Sequence, residues 1–489
     1  MPELALSVVV FVAAVVASGH AVIYKREPRA AALWIVVIWL VPAAGPVLYV
    51  LLGVNRVRRQ AVAMRGDMVH HRTIPYVMSV NSAAQETSVT PEPEQFRLFA
   101  RLVEQVSSRP LLPGNSLVPL VNGAEAYPAM LEAIESATES IGLATYIFDG
   151  AGAGERFVEA LVRSKERGVE SRVLIDAVGA NYSWPPVSRR LRGHGIDVAL
   201  FNPRIVPQWL PAVNLRNHRK ILVVDGKIGF TGGFNIKREY WNPESEAPAF
   251  RDLHFRLSGP VVAHLSEVFA DDWQFTTTEA LRGEKWFPTL PLCDGMLARG
   301  VEAGPDENFE RLRWVIIGAL NAARRSVRVI TPYFLPDAGI VSALNAAALR
   351  GVEVDILLPE HSNLAYVHWA TFGQIWQVLE RGCRVWLSSG QFDHSKLMIV
   401  DEEWTLFGSA NWDARSLRLN FEFNVECYSK EFGCQLAQMV RARLSQSRLL
   451  SLEEVDSRPL LIKLRDGIAR LFRPICDSVE QNIPFGIGR

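Results

Sequence analysis

The sequence predicts an α/β protein of two similar lobes, each a mixed sheet flanked by helices, preceded by two transmembrane helices. Three observations predict it. A His-x-Lys-x4-Asp pattern occurs twice, 176 residues apart. Short apolar strands alternate with helical stretches around both copies. Two long charge-free stretches open the chain.

The charge-free stretches cover residues 4–24 and 30–54, and each is long enough to cross a hydrocarbon core of roughly 30 Å. The first has no basic segment ahead of it and a second span follows at once, which favours an anchor over a cleaved signal. Pro42, Gly45 and Pro46 interrupt the second stretch, as membrane helices tolerate. Lys25, Arg26 and Arg29 lie between the spans, and Arg56, Arg58, Arg59 and Arg65 follow them. Positive-inside counting places the remainder on the cytoplasmic side. Residues 55–110 read as a juxtamembrane segment and linker, with a proline-containing polar stretch at 73–95.

The lobes are expected at 111–290 and 291–445. Arg167-Gly168-Val169-Glu170 precedes an apolar strand at 172–176, and Arg350-Gly351-Val352-Glu353 precedes one at 355–359. Tyr146 to Asp149 has a counterpart in Tyr333 to Pro336, and 195–200 in 382–387. Helices at 156–167 and 338–350 complete the repeat. Each half reads strand, helix, strand, helix, strand, then a hairpin that carries the motif.

The motif residues are His218, Lys220 and Asp225, then His394, Lys396 and Asp401. His and Lys at i and i+2 of an extended segment share a face. The runs 221–224 and 397–400 read as buried strands, and Asp225-Gly226 signals a hairpin turn. Small-residue turns follow at Gly232-Gly233-Phe234-Asn235 and Gly408-Ser409-Ala410-Asn411. They return backbone N–H groups, Asn235 and Asn411 toward the histidine face. Two histidines, two lysines and two asparagines supply what one phosphodiester centre needs: a nucleophile, a proton donor, and cationic and amide donors for phosphate oxygens. Two lobes facing each other across one site explain the duplication.

Composition limits the partners. Lys plus Arg and Asp plus Glu both number 52, so the net charge is zero. A nucleic-acid enzyme would carry a basic excess. The five cysteines show neither zinc spacing nor a disulfide framework. The tail, 446–489, carries Leu460, Leu461, Leu464, Ile468, Leu471 and Phe472 at helical spacing, with Lys463, Arg465 and Arg470 between them. It reads equally as a helix on a membrane surface or as one packed on the core. Trp184, Trp209, Phe234, Tyr240 and Trp241 near the first motif read mainly as core or interface residues, and His361 and His368 as surface or packing residues.

The duplicated motif resembles the phospholipase D superfamily across most of the chain beyond residue 110. That resemblance implies one histidine as nucleophile, forming a phosphohistidine, and the other as acid then base. It favours His218 as nucleophile, though the residues alone leave the order open. It implies phosphoryl binding by Lys220, Lys396, Asn235, Asn411 and Ser409, with no metal and no cofactor. Gly233 replaces the serine in the first turn, so that contact is not carried over to it. Asp252 and Glu422 stand where the family places the carboxylates that orient the histidines.

A narrower resemblance covers nearly the whole chain. Residues 51–56, 217–220, 231–236, Gly304-Pro305-Asp306, 331–337, 413–416 and 420–422 look like those of bacterial cardiolipin synthases. It implies transfer of a phosphatidyl group between two phosphatidylglycerol molecules in the inner membrane, with no nucleic-acid partner. Residues 361–377 lack the tyrosine-rich stretch expected of many relatives, which bears on the acceptor, for instance phosphatidylethanolamine. The alternatives are a hydrolytic phospholipase D that makes phosphatidic acid, a membrane-tethered nuclease, or a scaffold without activity.

Overall fold

The structure is a computed structural model and describes residues 2–25, 28–53, 91–202, 215–241, 250–293, 295–306 and 308–471. It divides into a small N-terminal unit and a large unit that carries both motifs. The expected linker at 55–90, Trp209, Cys476 and the tail from Phe472 onward lie outside the described residues.

In the small unit, helix α1 (Pro2–Tyr24) has 23 residues. At 1.5 Å per residue it is about 34 Å long, enough to cross a bilayer core. The second stretch is not the single span expected from its hydropathy. Helix α2 (Pro28–Leu40) has 13 residues, about 20 Å. The chain then turns at 41–43 and continues as α3 (Ala44–Leu48) and a π-helical turn (Tyr49–Gly53). The break follows from Pro42 and Pro46, which cannot donate helical hydrogen bonds. Gly45 lets α3 fold back, since a side chain there would meet Ile38 Cα at 2.7 Å. Trp39 Nε1 donates to Ser18 Oγ (3.1 Å), and His20 Nδ1 lies 2.7 Å from the Tyr49 hydroxyl. By length and composition, α1 alone among the described helices suffices to cross a membrane.

The large unit is built on strands of matching order. The first lobe holds β1 (Leu112–Val121), β2 (Ser140–Thr145), β3 (Glu170–Asp176), β4 (Asp197–Phe201), β5 (Arg216–Asn217), β6 (Ile221–Val224), β7 (Ile228–Gly232), β8 (Phe250–Arg251) and β9 (Leu253–Ser258). The second holds β10 (Met296–Ala303), β11 (Ser326–Ile330), β12 (Glu353–Pro359), β13 (Arg384–Ser388), β14 (Phe392–Asp393), β15 (Leu397–Val400), β16 (Trp404–Gly408), β17 (Asn420–Tyr428) and β18 (Ser447–Leu450). One sheet runs β18-β13-β12-β11-β15-β16-β17-β10-β1-β9-β7-β6-β2-β3-β4. Outward from the antiparallel β1–β10 seam, both lobes follow the same order. The repeat read in the sequence is therefore a pseudo-two-fold arrangement.

Two boundaries shift. Helix Glu94–Ser107 precedes the expected start of the first lobe, yet Phe96, Phe99, Ala100 and Val103 lie in the core of the second. Their i, i+3, i+4, i+7 spacing gives the helix one apolar stripe. β18 pairs with β13, so the second lobe extends past residue 445.

Each motif hairpin lies beside the parallel strands. β6 runs antiparallel to β2, with Ile221 opposite Ala144, and β15 antiparallel to β11, with Leu397 opposite Ile330. The histidines, which precede β6 and β15, therefore sit at the carboxyl ends of the parallel strands, where α/β folds leave a crevice. Asp225 and Gly226 both take positive φ (52° and 62°), as do Asp401 and Glu402 (55° and 61°). This is the primed hairpin turn the Asp-Gly pair signals.

Candidate active site

The two histidine segments meet through exchanged strands. β5 pairs in parallel with β17 of the other lobe, and β14 with β8. His218 N donates to Phe421 O (2.9 Å), and His394 N to Arg251 O (2.8 Å). Each histidine is thus laid beside the carboxylate strand of the opposite lobe.

The carboxylate contacts follow. His218 Nδ1 lies 2.9 and 3.0 Å from the two oxygens of Glu422. His394 Nδ1 lies 2.9 Å from Asp252 Oδ2. Both pairs cross between lobes, so neither half holds a complete site. Lys220 Nζ donates to His218 O (2.7 Å), and Lys396 Nζ donates to His394 O.

The departure at Gly233 has a steric cause. The two carboxylates differ by one methylene, and the shorter Asp252 lies against its own turn. A Cβ at Gly233 would fall 2.6 Å from Asp252 Cγ. The longer Glu422 leaves room for Ser409, whose hydroxyl donates to Glu422 Oε2 (2.5 Å). Ser409 therefore hydrogen-bonds the carboxylate that meets His218, a contact that the resemblance did not imply for it.

Asn235 and Asn411 are both about 95% buried. Asn235 Oδ1 accepts from Ile147 N (3.3 Å), and Asn235 also hydrogen-bonds Tyr240. The Tyr240 hydroxyl is 3.0 Å from His394 Nδ1. Tyr240 is thus part of the site, though its aromatic surroundings in sequence suggested core. Phe234 is buried core, whereas Trp184 is 87% exposed. His361 is exposed and His368 packs on Phe372, as expected of surface and packing residues.

Asp225 and Asp401 do not reach the histidines. Four strand residues, about 13 Å of chain, separate each from its lysine. Asp225 accepts from three consecutive backbone N–H groups, Thr138, Glu139 and Ser140, at 2.8–3.2 Å. Asp401 does the same for Arg324, Arg325 and Ser326 at 2.7–2.9 Å. Their geometry fastens the entry of β2 and β11 to the hairpin turn. Asp225→Ala and Asp401→Ala should each cost about 1–3 kcal/mol of stability, since several N–H groups lose a charged acceptor. Thermal melts should show the loss, while kcat/KM of the folded enzyme stays within about threefold of the parent.

Sequence reasoning also missed Arg219, the residue between His218 and Lys220. It is fully buried, ion-paired with Asp272, and its Nε donates to Glu422 O (3.2 Å). It ties the first histidine's segment to the strand that orients it. Asp272, forty-seven residues beyond Asp225, had no local signal.

Electrostatics separate the two halves. Burial pulls the His218 imidazole down to about 4 against the pull of Glu422, and holds His394 well below its ordinary value. Burial lowers Lys220 to about 7, with the Lys396 cation adding to the effect, and lowers Lys396 to about 8 against the pull of Asp252 and Glu422. Burial pushes Asp252 up to about 8. For Glu422 burial pushes the same way, but His218, Lys220 and Ser409 outweigh it and hold the carboxyl below its ordinary value. Environments that drive two carboxyls apart mark different proton roles.

The ends also differ. Opposite each other in register stand Arg216 and Asn420 beside His218, and Phe392 and Phe250 beside His394. One end is polar and cationic, the other aromatic.

The family model described as "Cardiolipin synthase, PLD-like domain" matches residues 130–273 and 316–445. The model described as "Phospholipase_D-nuclease N-terminal" matches 8–53. The chain is 32% identical to "Cardiolipin synthase" of Geobacillus sp. (strain WCH70) over 471 residues, 96% of this chain and 92% of that protein. It is 31% identical to "Major cardiolipin synthase ClsA" of Bacillus subtilis (strain 168), covering 92% of this chain and 94% of that protein. Among solved structures, the phosphatidylserine synthase of Haemophilus influenzae Rd KW20 superposes with a TM-score of 0.59 at 16% identity, covering 78% of this chain and 99% of that one. That likeness is one of fold.

Proposed function

Because the chain belongs to the cardiolipin synthase family of phospholipase D-like proteins, we propose that it joins two phosphatidylglycerol molecules into cardiolipin and releases glycerol. The observation that carries the reading is the crossed pairing of each histidine with the other lobe's carboxylate, which makes one two-histidine centre.

His218 acts as nucleophile. Glu422, kept ionised, accepts the Nδ1 proton and leaves the Nε2 lone pair free for phosphorus. The new N–P bond forms as the P–O bond to glycerol breaks. His394 gives the leaving glycerol oxygen its proton. The terminal hydroxyl of the second phosphatidylglycerol then returns a proton to His394 and attacks phosphorus, and His218 leaves. One phosphodiester is lost and one is made, so no nucleotide activation is required. Lys220, Lys396, Asn235 and Asn411 hold the phosphoryl oxygens. In the empty site both imidazoles are neutral at neutral pH. The anionic phosphate raises the affinity of His394 for the proton it must donate.

Transfer to an alcohol rather than water needs a site that excludes water. The histidine side chains are only 12% and 9% exposed. The substrate and the apolar α1 support a location in the bacterial inner membrane. The four arginines that follow the anchor, against three basic residues between its two stretches, favour the cytoplasmic side for the catalytic unit. α2 and α3 pack against α1 as part of the same anchor.

Phosphatidylglycerol vesicles incubated with the purified protein should yield cardiolipin and free glycerol by mass spectrometry. Phosphatidic acid as sole product would instead identify a hydrolase. The pH profile gives a further check. A lysine binds phosphate as a cation, and that form is lost as pH rises through its pKa. With Lys220 lowered to about 7 and Lys396 to about 8, kcat/KM should fall above pH 7–8. The bound anion raises both values, so the matching limb of kcat should lie at higher pH. Limbs of kcat and kcat/KM that coincide would contradict this account.

A further inference from the structure

We propose that helix Leu460–Leu471 is a membrane-docking element that seats an anionic phospholipid surface against the His394 end of the site. This rests on the phospholipid reading of the same site. The helix buries one face in the large unit. Asp466, fully buried, accepts from Arg458 (2.6 Å) and Arg465 (2.7 Å), and Arg458 also donates to Phe372 O (3.0 Å). Arg465 stacks over Trp369 at 4.5 Å. The helix is therefore held in place against helix Ala365–Phe372.

Among the described residues, nothing covers its other face. Leu460, Leu461, Leu464, Ile468 and Leu471 are 79%, 79%, 57%, 46% and 78% exposed. At 100° per residue all five fall within an arc of about 100°. Lys463 and Arg470 flank that arc on one side and Arg465 on the other. The helix's one carboxylate, Asp466, is buried and ion-paired on the inner face. An apolar stripe rimmed by cations, with no exposed anion, is complementary to a surface of anionic lipid.

Position supports that occupant over a second protein. An apolar cluster joins Ala469 of this helix through Val367 and Ala370 to Tyr333, Leu335 and Phe392. Phe392 is two residues before His394 on the same extended segment. A continuous buried apolar cluster thus couples the docking helix to the segment that carries the catalytic histidine. The first lobe presents Trp184, 87% exposed, on the β3–β4 crossover. That crossover is the pseudo-two-fold counterpart of the one carrying helix Ala365–Phe372. Tryptophan favours the membrane–water interface, so both lobes face lipid on the side of the histidines.

The test uses the full-length protein in nanodiscs and two donors: long-chain phosphatidylglycerol in the bilayer, and water-soluble dibutyryl phosphatidylglycerol. The Leu461→Glu/Leu464→Glu variant should lose at least about tenfold on the bilayer lipid. On the soluble lipid it should stay within about twofold of the parent. Loss of equal size on both donors would assign the helix to core packing, and no loss on either would leave it without a role; each overturns the proposal. Amide hydrogen exchange of the unaltered protein gives a readout independent of substitution. Residues 460–471 should exchange more slowly in phosphatidylglycerol nanodiscs than in a lipid-free amphipol, and unchanged exchange would also sink the idea. If the parent is inactive on both donors, the transferase reading fails while the exchange measurement still decides docking.

Discussion

His218→Ala and His394→Ala should each lower cardiolipin synthesis by about ten-thousand-fold, because nucleophile and acid act as a unit. They should differ when the leaving group changes. A phosphatidyl ester of p-nitrophenol leaves without being protonated. His394→Ala should therefore recover a burst of p-nitrophenol with that donor, and a phosphatidyl adduct should accumulate on His218. His218→Ala should stay inactive with either donor, since nothing remains to attack phosphorus. Rapid quench and peptide mass spectrometry read both outcomes. Recovery in His218→Ala instead would reverse the assignment of the two histidines. Mixing the two inactive chains should restore nothing, because both histidines of a site come from one chain.

Glu422→Gln and Asp252→Asn should each cost about a hundred- to ten-thousand-fold, and their signatures should be exchanged between lobes. Glu422, held ionised, accepts Nδ1–H of His218 and fixes its tautomer, whereas the Asp252 carboxyl shares a proton with His394 Nδ1. An amide in place of Glu422 can donate instead, which moves the imidazole proton to Nε2. For His218 that removes the nucleophilic lone pair, so Glu422→Gln should resemble His218→Ala and gain nothing from p-nitrophenol. Asp252→Asn removes a carboxyl that burial keeps protonated up to about pH 8 and that can pass this proton to His394, so it should resemble His394→Ala and be partly rescued. If each carboxylate served the histidine of its own lobe, the two patterns would swap. Ser409→Ala should give a weaker form of the Glu422 effect, since it removes the hydrogen bond on Glu422 Oε2. Arg219 should matter through the same residue, because it holds the Glu422 carbonyl.

Much of this centre is legible along the chain. His and Lys at i and i+2, an apolar run, an Asp at a turn and a Gly-rich return are local features whose period and turn chemistry fix a hairpin with the two cations on one face. The in-register second copy announces two like lobes, and the β1–β10 seam with mirrored strand orders bears that out. The limits were also local. Residues 30–54 are apolar throughout, but hydropathy does not register the hydrogen bonds that Pro42 and Pro46 withhold, so one expected span became α2, a turn and α3. The aspartates of the motif looked catalytic because they keep a fixed spacing from the lysines. That spacing is the length of a strand, and it carries them to its far end.

Sequence alone determined that two copies of a histidine–lysine hairpin are present, because that resides in residue type and short-range period. Only the tertiary structure decided the partners. Glu422 lies 204 residues from His218 and Asp252 142 residues from His394. No local propensity links them. They meet because β5 and β14 each leave their own lobe and pair with a strand of the other, and backbone pairing there is set by the packing of whole lobes. The same packing strips water from the site, and that loss of solvation sets the protonation of its lysines, histidines and carboxyls.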